Sequence, residues 1–263
     1  MSGSGPSPTG AGEPYVKHGG PSTPPEYFAV EAAGLRWLAA APDGAAVVGV
    51  REVGRHRIVL DRLETARPTA DAAESFGRAL ARTHAAGAPA FGSPPAGWEG
   101  DGFIGRQRMS MRPTATWGTF YAEQRVLPYA REAHDVGHLS AAALAAVERV
   151  AERLRGGDLD DDRPPARVHG DLWSGNVVFT PGGVVVIDPA AHGGHGLTDL
   201  AMLHLFGVPG LERISAAYAD EAGLDAGWED LIGLHQLHPL LVHAVSHGPA
   251  YGQEAGTVAR RYR

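Results

Sequence analysis

The chain has 263 residues, 43% of them hydrophobic, and a net charge of −7 that comes from 23 Lys and Arg against 30 Asp and Glu. These values are ordinary for a globular protein, and the acidic balance argues against a nucleic-acid partner. The absence of cysteine excludes disulfides, thiol catalysis and cysteine-ligated zinc. No apolar run reaches the roughly 18 residues of a membrane-spanning helix and no secretory signal is visible, so we expect a cytoplasmic protein without a membrane partner.

The first part of the chain has a mixed strand and helix pattern. Residues 1–12 are almost all Gly, Ser, Pro, Ala and Thr, so we predict that they are disordered. A short strand is predicted at 15–17, followed by a helix over 27–40 with a periodic apolar face. Two β-branched runs, 47–50 and 57–60, predict a small antiparallel pair.

From residue 65 onward the pattern is mainly helical. Short apolar runs predict strands at 166–168, 177–179 and 184–187, and the last two are joined by a Thr-Pro-Gly-Gly turn. The Gly- and Pro-rich segment 89–115 has a length that is usually functional or mobile. Apolar periodicity predicts helices at 70–86, 117–134, 140–154, 197–206, 210–222 and 228–247. We therefore predict two units, a small one over 1–64 and a larger one over 65–263.

The most informative stretch runs from His169 to Asn176 and reads HGDLWSGN. Asp171 and Asn176 have the spacing of the kinase catalytic loop, in which the Asp accepts the proton of the attacking hydroxyl and the Asn coordinates magnesium. Asp188 follows the strand at 184–187, where a carboxylate can hold Mg²⁺ against nucleotide phosphates. The alternative is that Asp171 is a turn residue and Asp188 caps a strand. Several independent spacings would then be accidental, so we favour a phosphotransferase.

Three segments resemble the fructosamine kinase (ketosamine-3-kinase) family, namely HGDLWSGNVVF at 169–179, IDPAAHGGHGLTDLAMLHLFG at 187–207 and HPLLVHAVSHGPAYG at 238–252. The resemblance extends over about residues 15–255. It implies an α+β, bilobal protein-kinase-like fold with a small β-containing amino-terminal lobe and a larger, mainly helical carboxy-terminal lobe. It also implies that ATP and Mg²⁺ are used to phosphorylate the sugar C3 hydroxyl of ketosamines, meaning the fructosamines or ribulosamines that glycation forms on proteins or amino acids. The unstable 3-phosphate then releases the free amine.

The resemblance also assigns roles around the catalytic loop. Asp171 would be the catalytic base, and Asn176 and Asp188 would be the magnesium ligands. Asp199 would brace the loop, with His169 in structural support. Three further side chains are expected on the substrate side, and these are Trp173, His192 and His195.

Lys17 is the only lysine among the 23 basic residues. In kinases, a strand lysine reaches the α- and β-phosphates and pairs with a glutamate on the following helix. Lys17 on the strand at 15–17 and Glu31 on the helix at 27–40 match that arrangement. Residues Leu60, Asp61 and Leu63 would form the hinge that contacts adenine through the backbone.

Kinase amino-terminal lobes place two strands and a glycine-rich loop before the lysine strand, whereas only 16 residues precede Lys17. We therefore expect a reduced amino-terminal lobe without those strands, or a sequence that starts too late to include them. Two alternative functions stay open. One is a phosphotransferase of the same fold that acts on an aminoglycoside, choline-like or other metabolite, and the other is a non-catalytic nucleotide-binding relic. We expect a monomer or a weak dimer.

Overall fold

The computed structural model describes residues 13–263. The predicted disorder of residues 1–12 lies outside the described residues. The amino-terminal part contains β1 (Tyr15–His18), α1 (Tyr27–Ala39), β2 (Ala46–Val47), β3 (Val50–Val53) and β4 (Arg57–Leu60). Three of its strands form an antiparallel sheet in the order β1-β4-β3.

The predicted pairing of 47–50 with 57–60 is wrong in its details. Residues Ala46–Val47 form β2, which pairs in parallel with a strand of the carboxy-terminal part. It is β3 that pairs with β4, through a register shift between Val50 and Glu52. The β-branched run is therefore divided between two sheets. Its first part, β2, pairs with a strand of the large lobe and so connects the two lobes.

The larger part is mainly helical, with short strands around the loop that contains Asp171. Its elements are α2 (Ala70–Ala85), β5 (Gly102–Ile104), β6 (Gln107–Met109), α3 (Trp117–Phe120), α4 (Leu127–Asp135), α5 (Ala141–Gly156), β7 (Ala166–Val168), β8 (Val177–Thr180), β9 (Gly183–Val186), β10 (His192–Gly194), α6 (Leu197–Phe206), α7 (Leu211–Ala222), α8 (Ile232–His247) and α9 (Pro249–Tyr262). Short 3₁₀ turns cover Ser174–Asn176 and Trp228–Leu231. None of the helices in the described part of the chain is both long and apolar enough to cross a membrane.

The predicted helix over 117–134 is interrupted by a π-helical turn at Tyr121–Val126. Pro128 lies in the first turn of α4 and has no N–H to donate to a preceding carbonyl. The carbonyl of Gln124 instead accepts a hydrogen bond from Arg125 Nη1 at 3.1 Å. The proline therefore accounts for the change in helix type, which buries the side chain of Arg125.

The long segment at 89–115 contains the β5–β6 hairpin, which reaches the amino-terminal lobe. The ring centroids of Phe103 on β5 and Tyr27 on α1 are 5.4 Å apart. Arg108 on β6 donates to Glu26, next to α1, at 3.2 Å. This hairpin therefore makes a second connection between the two lobes, in addition to the pairing of β2 with β9.

Candidate active site

The loop that contains Asp171 follows β7 and is held by backbone contacts to Asp199 on α6. Asp199 accepts hydrogen bonds from the backbone N–H of His169 at 2.7 Å and of Gly170 at 2.9 Å. Gly170 has φ +79, and a Cβ there would lie 2.3 Å from the carbonyl oxygen of Ala190. Only glycine fits this position, so the loop conformation is set by the sequence at residue 170.

His169 fixes the loop against the β8–β9 hairpin. Its Nε2 donates to the carbonyl of Ile187 at 2.9 Å, and its Nδ1 accepts from the N–H of Asp171. The ring is buried, so burial lowers its pKa and keeps it neutral at pH 7. His169 and Asp199 thus both hold the loop through hydrogen bonds.

A buried hydrogen-bond chain continues from Asp199 to α2 and α7. His84 Nε2 donates to Asp199 at 3.0 Å, and His84 Nδ1 accepts from the Tyr218 hydroxyl at 2.7 Å. Burial opposes the charge on Asp199, but these hydrogen bonds and the neighbouring histidines outweigh it and lower the pKa of Asp199. The sequence contained no signal for His84 or Tyr218, because each is a single residue on a long helix.

The structure brings together Lys17, Glu31 and Asp188, which are far apart in the chain. The Lys17 ammonium lies 3.0 Å from Glu31 and 3.1 Å from Asp188. Burial disfavours the charge on Lys17, but the two carboxylates outweigh it and raise the pKa of Lys17. Asp188 has φ +51, a left-handed conformation that is costly for a residue with a Cβ. That conformation turns the chain directly after β9, where the carboxylate meets Lys17.

Asn176 connects Asp171 and Asp188. Its Nδ2 donates to the Asp171 carbonyl at 2.8 Å and lies 3.4 Å from both the Asp171 carboxylate and the Asp188 carbonyl. The amide nitrogen is therefore occupied by the loop itself. The amide oxygen has no hydrogen-bond donor among residues 13–263 and is available to a ligand.

Three adjoining cavities surround these residues. The central cavity, of about 310 Å³, is lined by Lys17, Glu31, Asp171, Asn176 and Asp188. The strand-side cavity, of about 280 Å³, shares Asp188 and is lined by Tyr15, Leu60, Asp61, Leu63 and Ile187. The helix-side cavity, of about 650 Å³, lies against α6 and α8 and is lined by Arg106, Asp171, Trp173, Phe206, His243 and Tyr251. Asp171 and Trp173 line both the central and the helix-side cavities.

The strand-side cavity contains all three predicted hinge residues. The N–H of Asp61 donates to the Gly49 carbonyl at 2.9 Å, and its carboxylate accepts from Arg51 at 2.6 Å. The backbone N–H and the carboxylate of Asp61 therefore already have hydrogen-bond partners within the protein. An aromatic ligand in this cavity would have to use other backbone groups of the segment and the apolar side chains of Leu60 and Leu63.

The carboxyl group of Asp171 has a perturbed pKa. Burial has the largest effect and raises the pKa, and the charges of Asp188 and Asp199 raise it further. The Asn176 amide and Lys17 lower the pKa. The result is a pKa of about 7. A carboxylate with this pKa can accept a proton near neutral pH, which is the requirement for a general base.

The central cavity fits Mg²⁺ that is bound together with a nucleotide. No group of three or more His, Cys, Asp or Glu side chains in the described part of the chain could hold a metal ion by itself. Asp188 and the amide oxygen of Asn176 supply hard oxygen donors on one wall. Magnesium is usually bound by one or two carboxylates with substrate phosphates and water, so this donor set suits it.

The structure corrects the prediction that His192 and His195 face the substrate. His192 is buried and donates from Nδ1 to the Ala190 carbonyl, and burial followed by the charge of Arg125 lowers its pKa to about 3. His195 is also buried and donates from Nε2 to Asp161 at 2.9 Å. Neither lines the central or the helix-side cavity. His192 lies on β10 and packs against Phe120, and His195 follows β10 and packs against Trp117.

Trp173 differs from the two histidines because 43% of its surface is exposed. Its ring covers Gly175, where a Cβ would lie 2.3 Å from the indole. An exposed tryptophan at the boundary of two cavities is positioned for ligand contact. Sequence reasoning missed the other aromatic side chains of the helix-side cavity, because they lie on helices whose periodicity indicates only packing. Tyr27, which lines the central cavity, was missed for the same reason.

Comparison with known proteins identifies the family. The model of the fructosamine kinase family matches residues 9–262. A protein from Synechocystis sp. named as a probable ketoamine kinase is 33% identical over 243 residues, which cover 88% of this chain and 76% of that protein. A solved structure from Thermobifida fusca, provisionally named fructosamine-3-kinase, superposes with a TM-score of 0.85 at 46% identity and covers 93% of this chain and 83% of its own.

A more distant structure supports the fold alone. An aminoglycoside phosphotransferase superposes with a TM-score of 0.56 at 17% identity, and the match covers 90% of this chain and 84% of that one. The predicted α+β, kinase-like architecture is therefore confirmed. The chain belongs to the fructosamine kinase family.

Proposed function

We propose that this protein is an ATP- and Mg²⁺-dependent kinase that phosphorylates the sugar C3 hydroxyl of ketosamines. The observation that carries the proposal is the position of Asp171. Its carboxyl group lines both the central cavity, with Lys17, Asn176 and Asp188, and the larger helix-side cavity. A base in this place lies between a phosphate-binding wall and a space of the size that small ligands occupy.

The nucleotide would lie across the strand-side and central cavities. Adenine would pack between the apolar side chains of Leu60 and Leu63, and Lys17 would contact the α- and β-phosphates. Lys17 is already held in place by Glu31 and Asp188, so little rearrangement is needed. Asn176 and Asp188 would hold Mg²⁺, whose charge offsets the negative charge that develops on the transferred phosphoryl group.

Asp171 would act as the general base. The substrate hydroxyl donates its proton to the Asp171 carboxylate as its oxygen attacks the γ-phosphorus. The new O–P bond forms while the bond from the γ-phosphorus to the ADP oxygen breaks, and ADP leaves with the electron pair. His169 and Asp199 fix the loop, so the carboxylate is oriented before the substrate arrives.

The helix-side cavity would hold the ketosamine. Its wall combines the faces of Trp173, Phe206 and Tyr251 with few charged groups. Aromatic faces suit the apolar face of a sugar ring and attract a protonated amine. The product would carry a phosphate at C3 and decompose to release the free amine, which supports a role in deglycation.

The test measures ADP formation and ³¹P spectra with N-(1-deoxyfructosyl)glycine as acceptor. The native protein should form a C3 phosphate, and Asp171→Asn should lower kcat by about 10²–10⁴ while Mg-ATP binding persists. The matched control is Asp135→Asn, since Asp135 lies on the exposed end of α4. Turnover of an aminoglycoside and not of the ketosamine would replace this proposal with the second phosphotransferase function. Binding of Mg-ATP without turnover of any acceptor would support a non-catalytic nucleotide-binding relic.

A further inference from the structure

The helix-side cavity has one permanent cation on its wall. Among the lining residues of the described range 13–263, Arg106 is the only Arg or Lys and Asp171 the only Asp or Glu. Burial lowers the pKa of His243 on the same wall, so that ring is neutral at pH 7. The cavity therefore has a proton acceptor at Asp171 and a positive charge at Arg106.

The position of Arg106 is defined by the β5–β6 hairpin. Gly105 forms the turn with φ +56, and the side chain of Gln107 donates to the Val242 carbonyl on α8 at 3.2 Å. This hydrogen bond holds the end of the hairpin against the helix that forms the cavity wall. Arg106 lies between the turn at Gly105 and the anchored Gln107, is exposed, and has no ion-pair partner among residues 13–263.

Arg106 lines the helix-side cavity and not the central cavity, where the nucleotide phosphates are proposed to bind. Gly105 lines both the central and the helix-side cavities, whereas Arg106 lines only the helix-side one. Phosphate-binding groups belong on the wall with Lys17 and Asp188. An unpaired guanidinium on the acceptor side is instead available to an anionic group of the acceptor, and its planar fork matches a carboxylate.

We propose that Arg106 binds the carboxylate of the substrate, and that the preferred acceptors are ketosamines of free amino acids. This inference rests on the proposed function. Such a ketosamine has a sugar hydroxyl for Asp171 and a carboxylate at its other end, which complements the two charged groups of the cavity. Ketosamines whose carboxyl group is amidated, including those formed within a protein chain, lack the partner of Arg106.

The test compares N-(1-deoxyfructosyl)glycine with its glycinamide analogue, which differs only in the carboxylate. In the native protein, kcat/KM for the acid should exceed that for the amide by about tenfold, because a hydrogen bond between two charged groups is stronger than one to a neutral amide. Arg106→Gln should reduce the ratio to about one, chiefly through KM for the acid. Arg106→Lys should give an intermediate ratio, since it keeps the charge without the fork.

The matched control is Arg131→Gln. Arg131 is exposed on α4 and lines none of the three cavities, so the ratio should stay at its native value. A native ratio near one, or a ratio that Arg106→Gln leaves unchanged, would overturn the inference while the kinase proposal stands. A loss of kcat for both acceptors in equal proportion would also overturn it and indicate a role in phosphoryl transfer. Absence of any ketosamine turnover in the native protein would overturn both proposals.

Discussion

Replacing Asp171 with Asn tests the electrostatics of the site without requiring knowledge of the substrate. The carboxyl group has a pKa of about 7 in the folded protein against an ordinary value of 3.8. Because its folded pKa is raised, the folded state holds this proton more tightly than the unfolded state does between these two pH values. The free energy of unfolding therefore falls as the pH rises from about 3.8 to about 7, and the whole of this decrease is present above pH 7.

The size of this effect follows from the same two values. The pKa difference corresponds to at most about 4 kcal/mol of destabilisation above pH 7. Asp171 lies in a cleft that water enters, so we expect the realised value to be about 1–2 kcal/mol. Asn has nearly the same shape and keeps an oxygen for the Asn176 amide, so the substitution removes the charge with little change in packing.

The assay is urea unfolding of native protein and Asp171→Asn at pH 5 to 8. The variant should be more stable by about 1–2 kcal/mol at pH 8, and the difference should shrink towards pH 5. In the native protein, kcat/KM should fall as the pH is lowered and the base becomes protonated. A variant that is no more stable than native at pH 8, or a difference independent of pH, would refute the assignment of a raised pKa to Asp171.

Three further substitutions test other parts of the structure. Lys17→Met should weaken Mg-ATP binding at least tenfold in calorimetry, because it removes the proposed phosphate contact and leaves Asp188 without its counter-charge. Gly118→Ala should lower the unfolding free energy by about 3 kcal/mol, since its Cβ would collide with the backbone carbonyl of Leu154. Trp173→Ala should raise KM for the ketosamine about tenfold and change stability by under about 0.5 kcal/mol, because the ring is exposed.

Each of these three has an outcome that contradicts it. Unchanged nucleotide affinity in Lys17→Met would remove Lys17 from the phosphate site. The control for Gly118→Ala is Gly20→Ala, where a Cβ meets no atom within 4 Å, and equal losses in both would show that close packing is not the cause. A large loss of stability in Trp173→Ala would make that ring a packing residue and not a ligand contact.

The sequence predicted much of the local structure and the identity of the central site residues. The predicted helix at 197–206 matches α6, and the hairpin at 177–187 matches β8 and β9 closely, because apolar periodicity and a Thr-Pro-Gly-Gly turn specify them locally. The spacing of Asp171, Asn176 and Asp188 identified residues that the structure places on one wall. These signals depend on short-range patterns, which a single sequence contains.

Apolar periodicity did not predict other elements of the structure. Helix α9 was not predicted, because its buried face consists of small residues such as Gly252 and Ala255 with little apolar contrast. A Cβ at Gly252 would lie 2.0 Å from the His138 carbonyl, so close packing, and not hydrophobic patterning, selects glycine there. The division of residues 46–53 between two sheets likewise depended on a partner strand more than a hundred residues away.

By itself the sequence identified the kinase-like loop motif, the single lysine and the family resemblance, since all of these depend on residue identity and spacing. Only the tertiary structure decided which histidines face inward, because His192 packs against Phe120 and His195 bonds to Asp161, both far away in the chain. It also decided that Arg106 lines the helix-side cavity, because the hairpin at 102–109 is held against α8. Side-chain direction results from long-range packing, which no local pattern encodes.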